Sequence, residues 1–578
     1  MKKNQFLPIS ATLLLGAMAA LSSCGCSTSV VSYEIKAVDV ILAKGGDEVS
    51  KIATTGLLFK NKSDIAYAIP ELFFSTQDVT ITESNDVYTY TNPAFKMVID
   101  TNKDTVAIDN YDGLVAPTSP KKNKLVPYSE FLAYDDDKST TEKKNDTLTY
   151  DLAKYGFDAF TYEIEGKKQC FAPLTPMAAL MNGGNCITAY NGTQLFMGLP
   201  NALINEQTGQ LTKAGEAYYG GSFNTKKSYS KEFSEYNYNC LAFAFDNFNS
   251  YGEEIGVKDF RKYFKEKGVE ADLLSTDPDT VSHATAKVMY GLLDEGHNGY
   301  TTSSFKEKGV IKSKNEGSTL ARDYAGPRDK KLIEAVNKMY EYKKPYLNAE
   351  GAYPFYQTSG STAMIYFPSF VASNYTAQEK SPEGDISTTY GIFYNGFKRA
   401  AADSNIKNVV INIADNNGGD AAALVQTLGF LAKDGVAHVT DKTYNTSSYS
   451  NEYYAVDTNA DGKFDSSDGY GSKFDNIFIL ESYVSFSCAN ALPYYAKNDG
   501  TAKIIGQTSG GGHAVVNNFF LPTGDSICYS GNNVLGAKNS SGTFVSNDKG
   551  ATPDHVIEDM SIAFDVAKVA KFVEGLAK

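Results

Sequence analysis

Three apolar runs near the C-terminus limit the fold of this chain more than any other feature. They are KNVVINIA (407–414), NIFIL (476–480) and AKIIG (502–506). Each has the length of a buried strand rather than a helix, and β-formers dominate. The first runs into DNNGGD (415–420) and then the helical pattern AAALVQTLGFLAKDG; the second leads to a helical stretch at 487–497. AMIYFPSF (363–370) reads as a further strand and YGIFYNGFKRAAAD as an amphipathic helix. A last helix carries Ile562, Val566, Val569, Val573 and Leu576 on one face. Strands alternating with helices predict a layered α/β domain over 351–578.

Upstream the pattern changes. Residues 24–230 read as β-rich, with alternating segments such as VYTYTNPAFKMVID and DTVAID separated by Asn, Asp and Gly turns. That region holds no catalytic constellation. Residues 231–350 read as helical. Asp277 is placed to cap a helix whose first position is Pro278, and Val281, Ala284, Val288 and Leu292 recur at helical spacing. The helix should stop within 291–296, leaving the loop DEGHNGY (294–300).

The first 23 residues read as a secretory signal: Lys2 and Lys3, then an uncharged apolar stretch at 9–21. That stretch is shorter than the roughly 20 apolar residues a membrane span needs. It ends in LSSC (21–24), which resembles the bacterial lipobox and implies a lipid on Cys24. The expectation is a chain tethered by that lipid in the bacterial cell envelope, on the extracytoplasmic side. A net charge of −14 argues against nucleic-acid partners. Cys170 and Cys186 could bridge in such an oxidising compartment.

In chain order, DEGHNGY, VVINIADNNGGD, SYVSFSCAN, IIGQTSGGG and GATPDH resemble the tail-specific and tricorn-core serine protease family. The resemblance implies a crotonase/ClpP-like catalytic domain. It makes Ser487 the nucleophile at a helix N-terminus, where free amides and the helix dipole favour an oxyanion. The amide of Cys488 and that of Gly418 or Gly419 are the expected oxyanion donors. The tail-specific branch has a lysine 25 positions after the serine, but here that position is Gly512. The tricorn-like branch uses a histidine from an upstream loop, which His297 matches. Gly296 stands where that branch has a serine, and His513 is the rival base. Asp554, or Glu558 beside it, is the expected orienting group. His283, His438 and His555 are expected to play no part.

A second motif is independent. DTNADGKFDSSD (457–468) offers oxygen ligands in Asp457, Asn459, Asp461, Asp465 and Asp468, with Lys463 contributing its carbonyl. Gly462 sits where an EF-hand-type calcium loop turns sharply, and Phe464 should anchor the loop in apolar surroundings. Calcium would act there as a structural staple.

Two readings compete above the rest. One is a membrane-anchored serine peptidase that cleaves peptides or unfolded chains through Ser487 and His297. The other is a non-catalytic lipoprotein that binds ligands or peptides on the same fold. A calcium-dependent adhesion protein is a third.

Overall fold

The structure is a computed structural model describing residues 31–576, apart from 44–48, 75–77, 116–124, 127–128, 143–146, 200–201, 206–209, 303, 306–320, 322, 374–380 and 447. The signal segment and Cys24 lie outside the described residues.

The three apolar runs become neighbouring central strands of a six-stranded sheet. Its order is Tyr356–Ser359, Thr362–Tyr366, Asn408–Asn412, Asn476–Glu481, Lys503–Gly506 and His555–Val556. All pairings after the first are parallel. Side chains alternate across a strand, so one continuous apolar run serves two cores. Ile365, Val409, Ile411, Ile479 and Ile504 face the helices Thr389–Ala402, Ala421–Leu431 and Cys488–Asn498. Met364, Val410, Phe478 and Ile505 face Val569 and Val573 of the helix Val566–Leu576 and Met339 of the helix Pro327–Lys343.

The amino-terminal half holds a seven-stranded and a five-stranded sheet packed around the helix Lys231–Phe248. Its core also takes in Phe519, Phe520, Ile527 and Tyr529 from the strands Ala514–Phe520 and Ser526–Lys538. In return, the strands Leu132–Tyr134 and Thr140–Glu142 pair with Tyr449–Val456. Segments that the sequence separates are thus joined by shared sheets and a shared core.

Asp277 caps the helix Pro278–Lys287 by accepting from Thr280 N at 3.0 Å, with Pro278 at the first turn. A π turn, Val288–Leu293, ends the rod at Asp294, whose φ is 49°. Asp294 then receives Arg328 N at 2.8 Å and Asp329 N at 2.9 Å, capping the next helix. That hinge carries Glu295, Gly296 and His297 into the strand Gly299–Thr302, which pairs with Ser526–Lys538. Cys170 and Cys186, which the sequence left open as a pair, do not bridge: both are buried free thiols. Among the described residues no helix is long and apolar enough to cross a membrane.

Candidate active site

Ser487 closes the loop between the strand Asn476–Glu481 and the helix Cys488–Asn498. Its backbone has φ 58° and ψ −123°, a region that non-glycine residues occupy at a cost on the order of 1–3 kcal/mol. The conformation is pinned on both sides. Ser487 N donates to Gly511 O at 2.8 Å, and Ser487 O accepts from Asn490 N and Ala491 N, each at 2.9 Å. The side chain makes no capping hydrogen bond. A serine kept only to cap a helix would accept from the N2 or N3 amide. This one holds a strained backbone and leaves its hydroxyl uncommitted.

Gly418 and Gly419, at φ 106° and 140°, line the adjacent turn. A Cβ on Gly418 would fall 2.7 Å from Ser487 Cβ, so only glycine allows the approach. Gly418 N is already given to Asn416 Oδ1 at 2.9 Å. Among the described residues Cys488 N and Gly419 N donate to no protein group, which narrows the expected oxyanion pair to those two. The Cys488 thiol donates to Gly419 O at 3.1 Å, and burial pushes its pKa up to about 12. It is a protonated packing group beside the serine.

His297 is buried, and its ring packs against that of Phe486, the residue before Ser487, with centroids 4.8 Å apart. Nδ1 lies 3.0 Å from Ser530 Oγ and 3.3 Å from Glu295 Oε1, and His297 N donates to Glu295 Oε2 at 3.1 Å. Ser530 Oγ in turn donates to Glu295 Oε2 at 3.1 Å. Burial pushes the Glu295 carboxyl up, but His297 and then the charge of His513 pull it below the ordinary value, so it is an acceptor. The single Ser530 hydroxyl proton therefore goes to Glu295, and Ser530 accepts from Nδ1–H. We assign the Nδ1 tautomer on this ground, which leaves Nε2 as the free base. Among the described residues Nε2 is buried without a hydrogen-bond partner, and the Ser487 side chain makes no capping bond.

His513 stands differently. Nδ1 is 3.2 Å from Asp548 Oδ1 and Nε2 is 3.0 Å from Ser250 Oγ, so both ring nitrogens are engaged. Arg328 grips both Asp548 oxygens at 3.2 Å and donates to Gly510 O at 3.0 Å. Burial raises the Asp548 carboxyl, but His513 and Arg328 together hold it well below the usual carboxylate range. Gly512 packs under the Phe486 ring, and a Cβ there would come within 2.7 Å of it. The lysine of the tail-specific branch has no room at this position.

Asp554, expected as the orienting group, meets other partners than His297. Its carboxylate accepts from Ile504 N at 2.8 Å and pairs with Lys497 at 2.8 Å, which ties a strand to the end of a helix. Glu558 meets Gln507 only through its carbonyl, at 3.4 Å. The carboxylate that His297 meets is Glu295. It sits two residues before His297 in a motif singled out for the histidine alone. His283 meets Tyr324 OH, and His438 pairs with Asp499 and stacks on Tyr453.

In the loop 457–468, Gly462 turns at φ 81° as expected. The carboxylates serve the loop's own amides. Asp457 accepts from Asp461 N and Gly462 N, Asn459 Oδ1 from Asp461 N, and Asp461 from Lys463 N. Asp465 accepts from Ser467 N, and Asp468 from Thr458 N and Asp465 N. Among the described residues no three His, Cys, Asp or Glu side chains converge as a metal set. Phe464 is exposed and anchors nothing.

Residues 361–557 match the model of peptidase family S41. The match covers the parallel part of the six-stranded sheet and the Ser487 loop, in the crotonase/ClpP-like class expected. No curated protein matches the chain. Among solved structures, a candidate peptidase from Parabacteroides merdae ATCC 43184 is 15% identical with TM-score 0.37, covering 59% of this chain and 96% of its own. The photosystem II D1 C-terminal processing protease is 15% identical with TM-score 0.25, covering 36% of this chain and 47% of its own. A lipoprotein from Streptococcus agalactiae is 13% identical with TM-score 0.27, covering 51% and 96%.

The Asp548 geometry predicts a pH dependence. Its folded pKa is depressed, so the stability it contributes is present above the unfolded value near 3.9 and is lost as pH falls through the folded one. Asp548→Asn leaves Arg328 and His513 uncompensated. It should cost roughly 3 kcal/mol at pH 7 in urea unfolding, and the penalty should shrink below about pH 4. An equal penalty at both pH values would show that the charge is not what matters.

Proposed function

Because the chain carries a peptidase family S41 domain over residues 361–557, we propose that it is a serine peptidase with Ser487 as nucleophile and His297 as general base. The observation that carries the reading is the pairing of two poised groups. One is a serine in a strained backbone with an uncommitted hydroxyl. The other is a buried imidazole beside the same loop, anchored at Nδ1 and open at Nε2.

Ser487 Oγ attacks the carbonyl of a peptide or protein chain and passes its proton to Nε2. Cys488 N and Gly419 N receive the oxyanion, each donor of this kind lowering the barrier by roughly 3–4 kcal/mol. Glu295 and Ser530 hold the imidazolium as it forms. The ring then returns the proton to the leaving amine, and water hydrolyses the acyl-enzyme. Nε2 and Oγ are not hydrogen-bonded in the free protein. Substrate closes that gap, as is common where catalytic contacts tighten only in the complex.

A fluorophosphonate probe tests this. It should label the wild type at Ser487 and fail to label Ser487→Ala. His297→Ala should be labelled on the order of 100-fold more slowly, the usual scale of a lost general base. Equal rates for wild type and His297→Ala would remove the base. No labelling of folded wild type would leave the binding lipoprotein.

A lipid on Cys24 would tether the peptidase outside the cytoplasm, a reading supported by the signal-like segment at 1–23. Mass spectrometry of the mature N-terminus should find a diacylglycerol-modified Cys24. An unmodified chain beginning at Met1 would exclude it.

Calcium at 457–468 is supported by the hard-oxygen donor pattern, by the turn at Gly462, and by Asp457 and Asp468 lying buried within reach of each other's charge. Calcium at about 100 times its Kd should stabilise the fold by about 2.7 kcal/mol, read as a higher Tm than in chelator. Identical Tm values at millimolar calcium would dismiss the staple.

A further inference from the structure

The structure contains a second histidine cluster that the proposed reaction does not use. We propose that His513 is a positioning residue: it holds Asp548 through Nδ1 and Ser250 through Nε2, and as a second cation beside the Arg328–Asp548 pair it keeps His297 free to act as a base. The inference rests on the Ser487–His297 reading.

The contacts of the two histidines converge on one residue, Ser530. His513 Nε2 meets Ser250 Oγ, and Ser250 N and Oγ donate to Ser530 O at 3.1 and 3.4 Å. Ser530 Oγ is the group that receives His297 Nδ1. Every donor has one direction if His513 is an imidazolium. Nδ1–H goes to Asp548, Nε2–H to Ser250, and the Ser250 hydroxyl to Ser530 O. With both nitrogens committed and the ring 1% exposed, His513 has no free lone pair to offer Ser487.

The charges around it explain why a cation belongs there. Asp548, Glu295 and Glu254 face His513 as anions, with Arg328 as the other cation and Tyr251 alongside. Burial disfavours a charged ring, yet the Asp548 hydrogen bond and these carboxylates together raise the His513 pKa. Asp548 and His513 both act electrostatically on Glu295, the carboxylate that holds His297. Without His513, Arg328 alone would pair Asp548, and one positive charge near Glu295 would be lost. More negative charge beside the ring would favour a proton on it over the free lone pair that Ser487 needs.

The pH profile of fluorophosphonate labelling distinguishes this from a role in packing. In His513→Gln the acid limb of the profile should move up by about one unit, the scale set by a nearby charge. Labelling at pH 6 should then fall about tenfold relative to wild type, with little loss at pH 9. The double variant His513→Gln with Asp548→Asn removes both charges and should bring the limb back toward the wild-type position. It also relieves the buried carboxylate should the single variant fail to fold. A folded His513→Gln with an unmoved limb, or a double variant displaced further than the single, overturns the proposal. Loss of labelling at all pH values in His513→Gln, with normal labelling of His297→Ala, would make His513 itself the base and overturn it too. Failure of wild-type Ser487 to label would instead strike at the peptidase reading.

Discussion

The site depends on one carbonyl. Gly511 O accepts the Ser487 amide and fixes it at a positive φ that serine does not choose for itself. This is possible because three backbone segments meet almost without side chains. Gly418 touches Ser487, Gly511 passes over Asp548, and Gly512 lies under the Phe486 ring, each where a Cβ would collide. The strain is held by the parallel sheet below, whose strand ends deliver the 415–419, 481–487 and 506–512 loops to one edge. Packed elements that over-determine a loop can keep a residue in an unfavourable conformation, and a hydroxyl held that way is presented rather than absorbed into capping.

The His297 ring is held by the opposite means. His297 reaches the site from a different part of the chain, on a hinge at Asp294, and polar groups fix it rather than backbone strain. The buried Glu295 is tolerable only because it accepts from Ser530 and the His297 amide and lies against an imidazole. Ser530 comes from a strand 233 residues further on. The amino-terminal half therefore serves the site: its core packs on the Ser526–Lys538 strand, which carries Ser530, and its long helix leads to Ser250. Arg328 locks Asp548 to the Gly510 carbonyl and completes the frame.

Much of this was legible in the chain. The apolar runs at 407–414, 476–480 and 502–506 became strands within a residue or two of their expected limits, because a strand buried on both faces leaves an unbroken apolar signature. Asp277 and Pro278 marked a helix start, since capping is a local interaction between residues three apart. Ser487 and the glycines stood out because their spacing is local as well. Asp554 shows the limit of local spacing. A carboxylate beside a motif looks functional in sequence, yet its neighbours in space are Lys497 and a strand amide.

The sequence by itself determined the alternating strands and helices, the serine at a helix start, the glycines beside it and the histidine loop, since each is written in residues a few positions apart. Tertiary structure alone decided that Glu295 and Ser530 orient His297, that His513 is bound at both nitrogens, that Gly418 N is already spent, and that Cys170 and Cys186 stay apart. The physical reason is range. Capping, turns and strand patterning are settled within a few residues, whereas a buried charge finds its partner only when chain segments hundreds of residues apart are packed into one core.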